Sequence, residues 1–163
     1  MLLLAVFLGA SPVHAGKQVL SGELVTGAEP RAGAVMTVTA RLTLESGWHV
    51  YAPDPASQNI PLDVVFSGPG VTFSTTPTYP APRTEKILGE DAKILDGSFE
   101  VRTEAHLPDP LPKPFKLTAK VSFQACSDSQ CQVPSELELT LPARVEASPA
   151  PRDTLRGRDS PCR

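Results

Sequence analysis

The chain alternates. In VMTVTARLTL (residues 35–44), Met36, Val38, Ala40, Leu42 and Leu44 fall on one side, and Thr37, Thr39, Arg41 and Thr43 on the other. A period of two marks a strand with one buried face. FKLTAKVSF (115–123) repeats it, with Phe115, Leu117, Ala119, Val121 and Phe123 inward and Lys116, Thr118, Lys120 and Ser122 outward. SELELTL (135–141) does so again through Leu137, Leu139 and Leu141. Shorter candidates lie at 18–25, 48–51, 62–66, 71–75 and 98–105, for about seven or eight strands in all. Turn residues separate them: Ser46-Gly47, Gly68-Pro69-Gly70, Asp96-Gly97 and the proline cluster LPDPLPKP. No stretch holds an apolar stripe of helical period. The pattern predicts an all-β chain, an immunoglobulin-like antiparallel β-sandwich, with a small closed barrel as the alternative.

Composition narrows the organisation. The 163 residues suffice for one domain with a real core. A formal charge of -3 argues against a nucleic-acid partner, whose binders carry a strong basic excess. The 18 prolines suit loops and strand edges better than helix interiors. MLLLAVFLGASPVHAGK opens with an apolar run and reaches Val13-His14-Ala15, a small-x-small cleavage signal. Residues 1–15 read as a secretory signal peptide, a first buried strand being the alternative. No later run approaches the roughly 20 apolar residues of a membrane span. Residues 17–147 then form the exported domain. The polar, proline-bearing SPAPRDTLRGRDSPCR, 148–163, reads as a disordered tail carrying Cys162 as a tail-specific thiol.

Export gives the remaining cysteines their interest, because an oxidising compartment lets a disulfide persist. In FQACSDSQCQVP, Cys126 and Cys131 flank Ser127-Asp128-Ser129-Gln130, at the connection between two expected strands. Facing residues of an antiparallel pair lie close enough for a disulfide. As a staple the pair is badly placed: closing so short a loop yields about 2 kcal/mol, against nearly 5 for a loop of 100 residues. Trp48 has no preceding cysteine with which to build the inter-sheet bridge of an immunoglobulin domain. Zinc fits poorly, since the mature chain adds only the distant His49 and His106 as ligands of the usual kind. The third use is exchange, because accessible disulfides are the labile ones. The spacing is not C-x-x-C, no helix follows, and Asp128 between the sulfurs disfavours a thiolate, so the expected nucleophile is modest.

VSFQACSDSQCQVP, together with SGWHVYAPDP and PTYPAPRTEKILGEDAKILDGSFEVRT, resembles the N-terminal periplasmic domains of the DsbD family of transmembrane thiol:disulfide interchange proteins. The likeness runs over nearly the whole mature domain. It implies an immunoglobulin-like sandwich with one redox-active cysteine pair at its end, and no bound cofactor or metal. Such a domain takes reducing equivalents from a membrane reductase and passes them to periplasmic thioredoxin-like proteins, including those serving cytochrome c biogenesis.

Carried across by the same resemblance, Cys131 joins a partner in a mixed disulfide and Cys126 resolves it. Ile87, Leu88 and Gly89 of EKILGED would form a cap loop over the sulfurs, the glycine letting it bend. His49 and Tyr51 would line the site beside Asp128. Without the resemblance, Ile87 and Leu88 read equally as a small satellite core, and Tyr51 as an ordinary core residue. Two departures stand out: the cap is aliphatic where the family carries an aromatic, and the membrane and thioredoxin-like portions are absent. The expectation is therefore a monomeric periplasmic module served by a separately encoded membrane thiol reductase. The rival is an exported binding module whose hairpin disulfide is permanent.

Overall fold

The computed structural model describes residues 17–87 and 89–141. The proposed signal peptide, Leu88 of the expected cap, and the tail with Cys162 lie outside the described residues. Among those residues there are eleven strands and no helix: β1 (Leu20–Thr26), β2 (Val35–Leu44), β3 (His49–Tyr51), β4 (Asp63–Ser67), β5 (Thr72–Phe73), β6 (Arg83–Ile87), β7 (Glu90–Asp96), β8 (Ser98–His106), β9 (Thr118–Phe123), β10 (Ala125–Cys126) and β11 (Ser135–Thr140). They form three antiparallel sheets, ordered β1-β2-β8-β5, β10-β3-β7-β6 and β11-β9-β4. The architecture is the immunoglobulin-like β-sandwich that the alternation predicts. No helix among the described residues is long and apolar enough to cross a membrane.

One core joins all three sheets. The first sheet contributes Leu20, Leu24, Val38, Ala40, Leu42 and Val101, and the third Val64, Phe66, Ala119, Val121 and Leu139. The second sheet adds only Val50, Leu95 and Ala125. Of these, Val38, Ala40, Leu42, Ala119, Val121 and Leu139 are positions that the period of two assigns inward, and each fully buried Val or Leu supplies about 1.5–3 kcal/mol of transfer free energy. Thr39 lies on the polar side of β2 yet is also buried. It sits mid-sheet between Val25 and Arg102 on the two neighbouring strands, which cover it. At Gly22 a Cβ would stand 2.5 Å from the backbone oxygen of Arg41, so β1 tolerates no side chain there.

Two expectations shift. The segment EKILGED, 85–91, read from sequence as a cap loop, belongs to the β6–β7 hairpin, which turns at Gly89, whose φ is +90°. The alternation there is carried only by Ile87, Ala92 and Ile94 among salt-bridged charges, so it is nearly silent. The connection after β9 also differs from a simple hairpin. β9 pairs with β11 in the third sheet, but beyond Gln124 the chain crosses to the second sheet, where β10 pairs with β3. That step carries Cys126 off the main sandwich.

Candidate functional site

The second sheet is two-faced, and the cysteine site grows from that fact. In the three-residue β3, every residue is buried. Val50 points into the main core, with its cross-strand partners Leu95 and Ala125. His49 and Tyr51 point the other way. Alternation then puts their partners on the same outer face: Cys126 and Asp96 opposite His49, Ile94 opposite Tyr51. The β6–β7 pairing extends that face with Arg83, Glu85, Ile87 and Ala92.

On this outer face Tyr51, Ile94 and Cys126 form a second, small hydrophobic cluster, with Ile87 and Ala92 packed against it. Cys126 is 1% exposed. Cys131 is exposed, as are Asp128, Ser129 and Gln130 beside it. A disulfide joins the two cysteines across a sequence separation of 5, with their Cα atoms 4.0 Å apart. One sulfur is therefore rooted in the protein and the other meets solvent. Val133, two residues beyond Cys131, is 76% exposed.

The loop between the cysteines is tied to itself and to its base. The Ser127 N–H donates to the Gln130 carbonyl at 2.7 Å, and the Gln130 N–H donates to Ser127 Oγ at 3.3 Å. Below the pair, the Gln132 N–H donates to the Ala125 carbonyl at 2.8 Å, and Gln124 Nε2 donates to the Gln132 carbonyl at 3.0 Å. These bonds hold the two chain segments together whether or not the sulfurs are joined.

His49 is the unusual member. It is 8% exposed, and its Nε2 is buried with no hydrogen-bond partner. Its ring meets Tyr51 edge to face at 5.6 Å between centroids. Burial pushes its pKa below the ordinary histidine value; Glu85, Asp128 and Asp96 pull it up, and Arg83 pushes it down. Arg83 itself donates to Asp96 at 2.7 Å and pairs with Glu85 at 2.6 Å. No group of three or more potential metal-ligating side chains gathers among the described residues.

The structure thus places Cys126, His49, Tyr51 and Ile87 on the outer face of the second sheet, with Cys131 bonded to Cys126. Asp128 lies in the intervening loop, and Gly89 at the tip of the β6–β7 turn. Sequence reasoning missed Ile94, Ala92, Arg83, Glu85 and Asp96 as neighbours of the site. The spacing of Ala92 and Ile94 was the available signal.

A family model described as thiol:disulfide interchange protein DsbD, N-terminal, matches residues 18–143. Among solved structures, the N-terminal periplasmic domain of ScsB from Proteus mirabilis matches with a TM-score of 0.50 at 14% identity, over 75% of this chain and 44% of that one. The chain therefore spans less than half the length of that neighbour, and at this identity the likeness speaks for the fold. The reduced N-terminal domain of DsbD from Neisseria meningitidis matches with a TM-score of 0.47 at 13% identity, over 76% of this chain and 84% of that one. No curated protein matches the chain.

Proposed function

The chain belongs to the family of N-terminal domains of the thiol:disulfide interchange protein DsbD, and on that premise we propose that it is a periplasmic module relaying reducing equivalents through Cys126 and Cys131. The observation that carries this reading is the asymmetry of the pair: Cys131 is exposed, whereas Cys126 is buried among Tyr51, Ile94 and Ile87. A partner can reach one sulfur only. The buried sulfur waits behind it to complete the exchange.

The electrons balance in two steps. A thiolate of a donor dithiol, supplied by a membrane reductase, attacks Cys131 Sγ, and the Cys126–Cys131 bond breaks with Cys126 as leaving group. The donor's second thiolate then attacks its own sulfur in the mixed disulfide, leaving the donor oxidised and both cysteines reduced. In the forward step the Cys131 thiolate attacks the disulfide of a thioredoxin-like client. Cys126 then attacks Cys131 Sγ, re-forming the intramolecular bond and releasing the client as a dithiol. Ile87, at the end of β6, acts as part of a gate over the sulfurs, with Gly89 as its bend. The step limiting such a site is access rather than chemistry.

Equilibration of the full chain in graded dithiol buffers tests the reading. A reduction potential above about -300 mV supports exchange, whereas a value well below it marks a permanent structural bond and the rival binding module. In a Cys126→Ser, Cys162→Ser background, thioredoxin-like clients should accumulate as mixed disulfides on Cys131. Their failure to do so would overturn the assigned roles.

A further inference from the structure

On the outer face of the second sheet Arg83 pairs with Glu85 and Asp96, and the buried apolar groups fill the small cluster. Among the described residues, His49 Nε2 alone is a buried side-chain polar atom without a hydrogen bond. Leaving a polar atom so costs free energy, commonly about 1–3 kcal/mol, and such atoms ask for an explanation in function. Across the strand pair, directly opposite His49 and on the same face, stands Cys126. In the disulfide, Cys126 has no proton to offer. In the dithiol it has one.

We propose that His49 carries the proton of Cys126 through the exchange cycle. The inference rests on the thiol–disulfide reading above and deepens it. When Cys126 resolves a mixed disulfide, its S–H bond breaks and the proton passes to His49 Nε2. The thiolate attacks Cys131 Sγ, the Cys126–Cys131 bond forms, and the client leaves as a thiolate. The imidazolium then gives its proton to that leaving thiolate or to solvent. In the reductive direction the flow reverses: Cys126 departs as a thiolate and takes a proton from His49.

Three physical features suit this role. Burial in an apolar cluster disfavours a free Cys126 thiolate, so a neighbouring base is worth most at this sulfur rather than at solvated Cys131. Burial also keeps the imidazole neutral near pH 7, able to accept. The charges facing it from the surrounding elements are mixed: Asp128 of the cysteine loop, Asp96 of β7, and Glu85 with Arg83 of β6. The net acidic surroundings soften the cost of a transient imidazolium.

The test uses the full chain carrying Cys162→Ser, reduced and mixed with dipyridyl disulfide. The first pyridinethione reports attack by Cys131, and the second reports resolution by Cys126. In the parent the second phase should level off across neutral pH and fall as His49 protonates. In His49→Gln it should be about 100-fold slower at neutral pH, the lower range for general acid–base assistance, and rise about tenfold per pH unit without a plateau. The first phase should be unchanged.

A second phase with the same rate and pH profile in both proteins overturns the proposal. If the parent shows no second phase at all, the exchange reading fails instead. Should His49→Gln not fold, titration of the His49 imidazole by NMR in the parent decides. An inflection that moves between disulfide and dithiol supports the coupling, and one indifferent to the state of Cys126 overturns it.

Discussion

The two faces of the second sheet share a backbone but not a purpose. The inner face, Val50, Leu95 and Ala125, joins a large core continuous with the other two sheets. The outer face gathers Tyr51, Ile94 and Cys126, with Ile87 and Ala92 packed against them and a buried histidine that lacks a partner. The first face is bonded and packed throughout. The second is small and holds the only buried side-chain polar atom without a partner among the described residues. A chain that wanted only stability would not bury His49 there. The contrast teaches that one side of this sheet is committed to the main core, while the other carries the site proposed for exchange.

The largest expected effect separates activity from stability at a single atom. Cys131→Ser should abolish thiol exchange altogether, while costing at most about 2 kcal/mol of stability, the worth of so short a disulfide loop. The loop's own hydrogen bonds and the β10–β3 pairing keep the fold closed without it. Stopped exchange with a native circular-dichroism spectrum is the outcome that checks it. Loss of the fold itself would mean that the outer face is structural after all.

A paired truncation draws the same line less severely. Leu117, fully buried in the main core, should cost about 2–5 kcal/mol as Leu117→Ala, with the reduction potential of the cysteine pair unmoved. Ile87 is only partly buried against the outer cluster. Ile87→Ala should cost less than that range in a denaturant titration. It should also quicken attack of a bulky dithiol on the disulfide by several-fold, because a gate has been thinned. Equal exchange rates in the two variants would remove Ile87 from the gate.

The main core of the first and third sheets was legible in the chain from the start and the outer face of the second sheet was not, for a physical reason. A strand with one buried face writes its burial as alternation, which is why β2, β9 and β11 stand out in sequence. β3 is buried on both sides, so HVY carries no period at all. β6 and β7 expose most of their residues, and their charges pair across the hairpin, Lys86 with Asp91 and Arg83 with Asp96. In RTEKI and EDAKILD the cluster-forming positions are therefore a minority among charges. The cysteines could be found by eye. That Cys126 is buried and Cys131 exposed follows from the chain's move between sheets at Gln124, which no local pattern records.

Acid offers a gentler probe of the difference. The folded protein holds His49 below its ordinary pKa of 6.5 through burial. Between that value and the lower folded one, the unfolded chain binds more protons, so stability rises with pH across the window. This contribution is complete above about pH 6.5 and is lost as pH falls through the folded value. Chemical denaturation from pH 7 downward should show the loss in the parent, and His49→Gln should lack that component. An identical slope in both would mean that His49 protonates without cost and is not buried in solution.

The smallest effect compares two arginines with similar ion pairs. Arg83 bridges Glu85 and Asp96 on the outer face of the second sheet, and Arg41 bridges Glu23 and Glu100 on the first. Both are exposed, and exposed pairs contribute little to stability. Neither Arg83→Gln nor Arg41→Gln should shift the unfolding midpoint appreciably. Only Arg83 has a buried titratable neighbour. Its positive charge opposes protonation of His49, and it also occupies two of the three carboxylates that favour it. Removing it should therefore raise the His49 pKa, by an amount that shrinks as salt is added, while Arg41→Gln leaves His49 where it was. A downward shift, or an equal shift from both, would mean that the charges of the β6–β7 hairpin do not act on the histidine behind the cysteines.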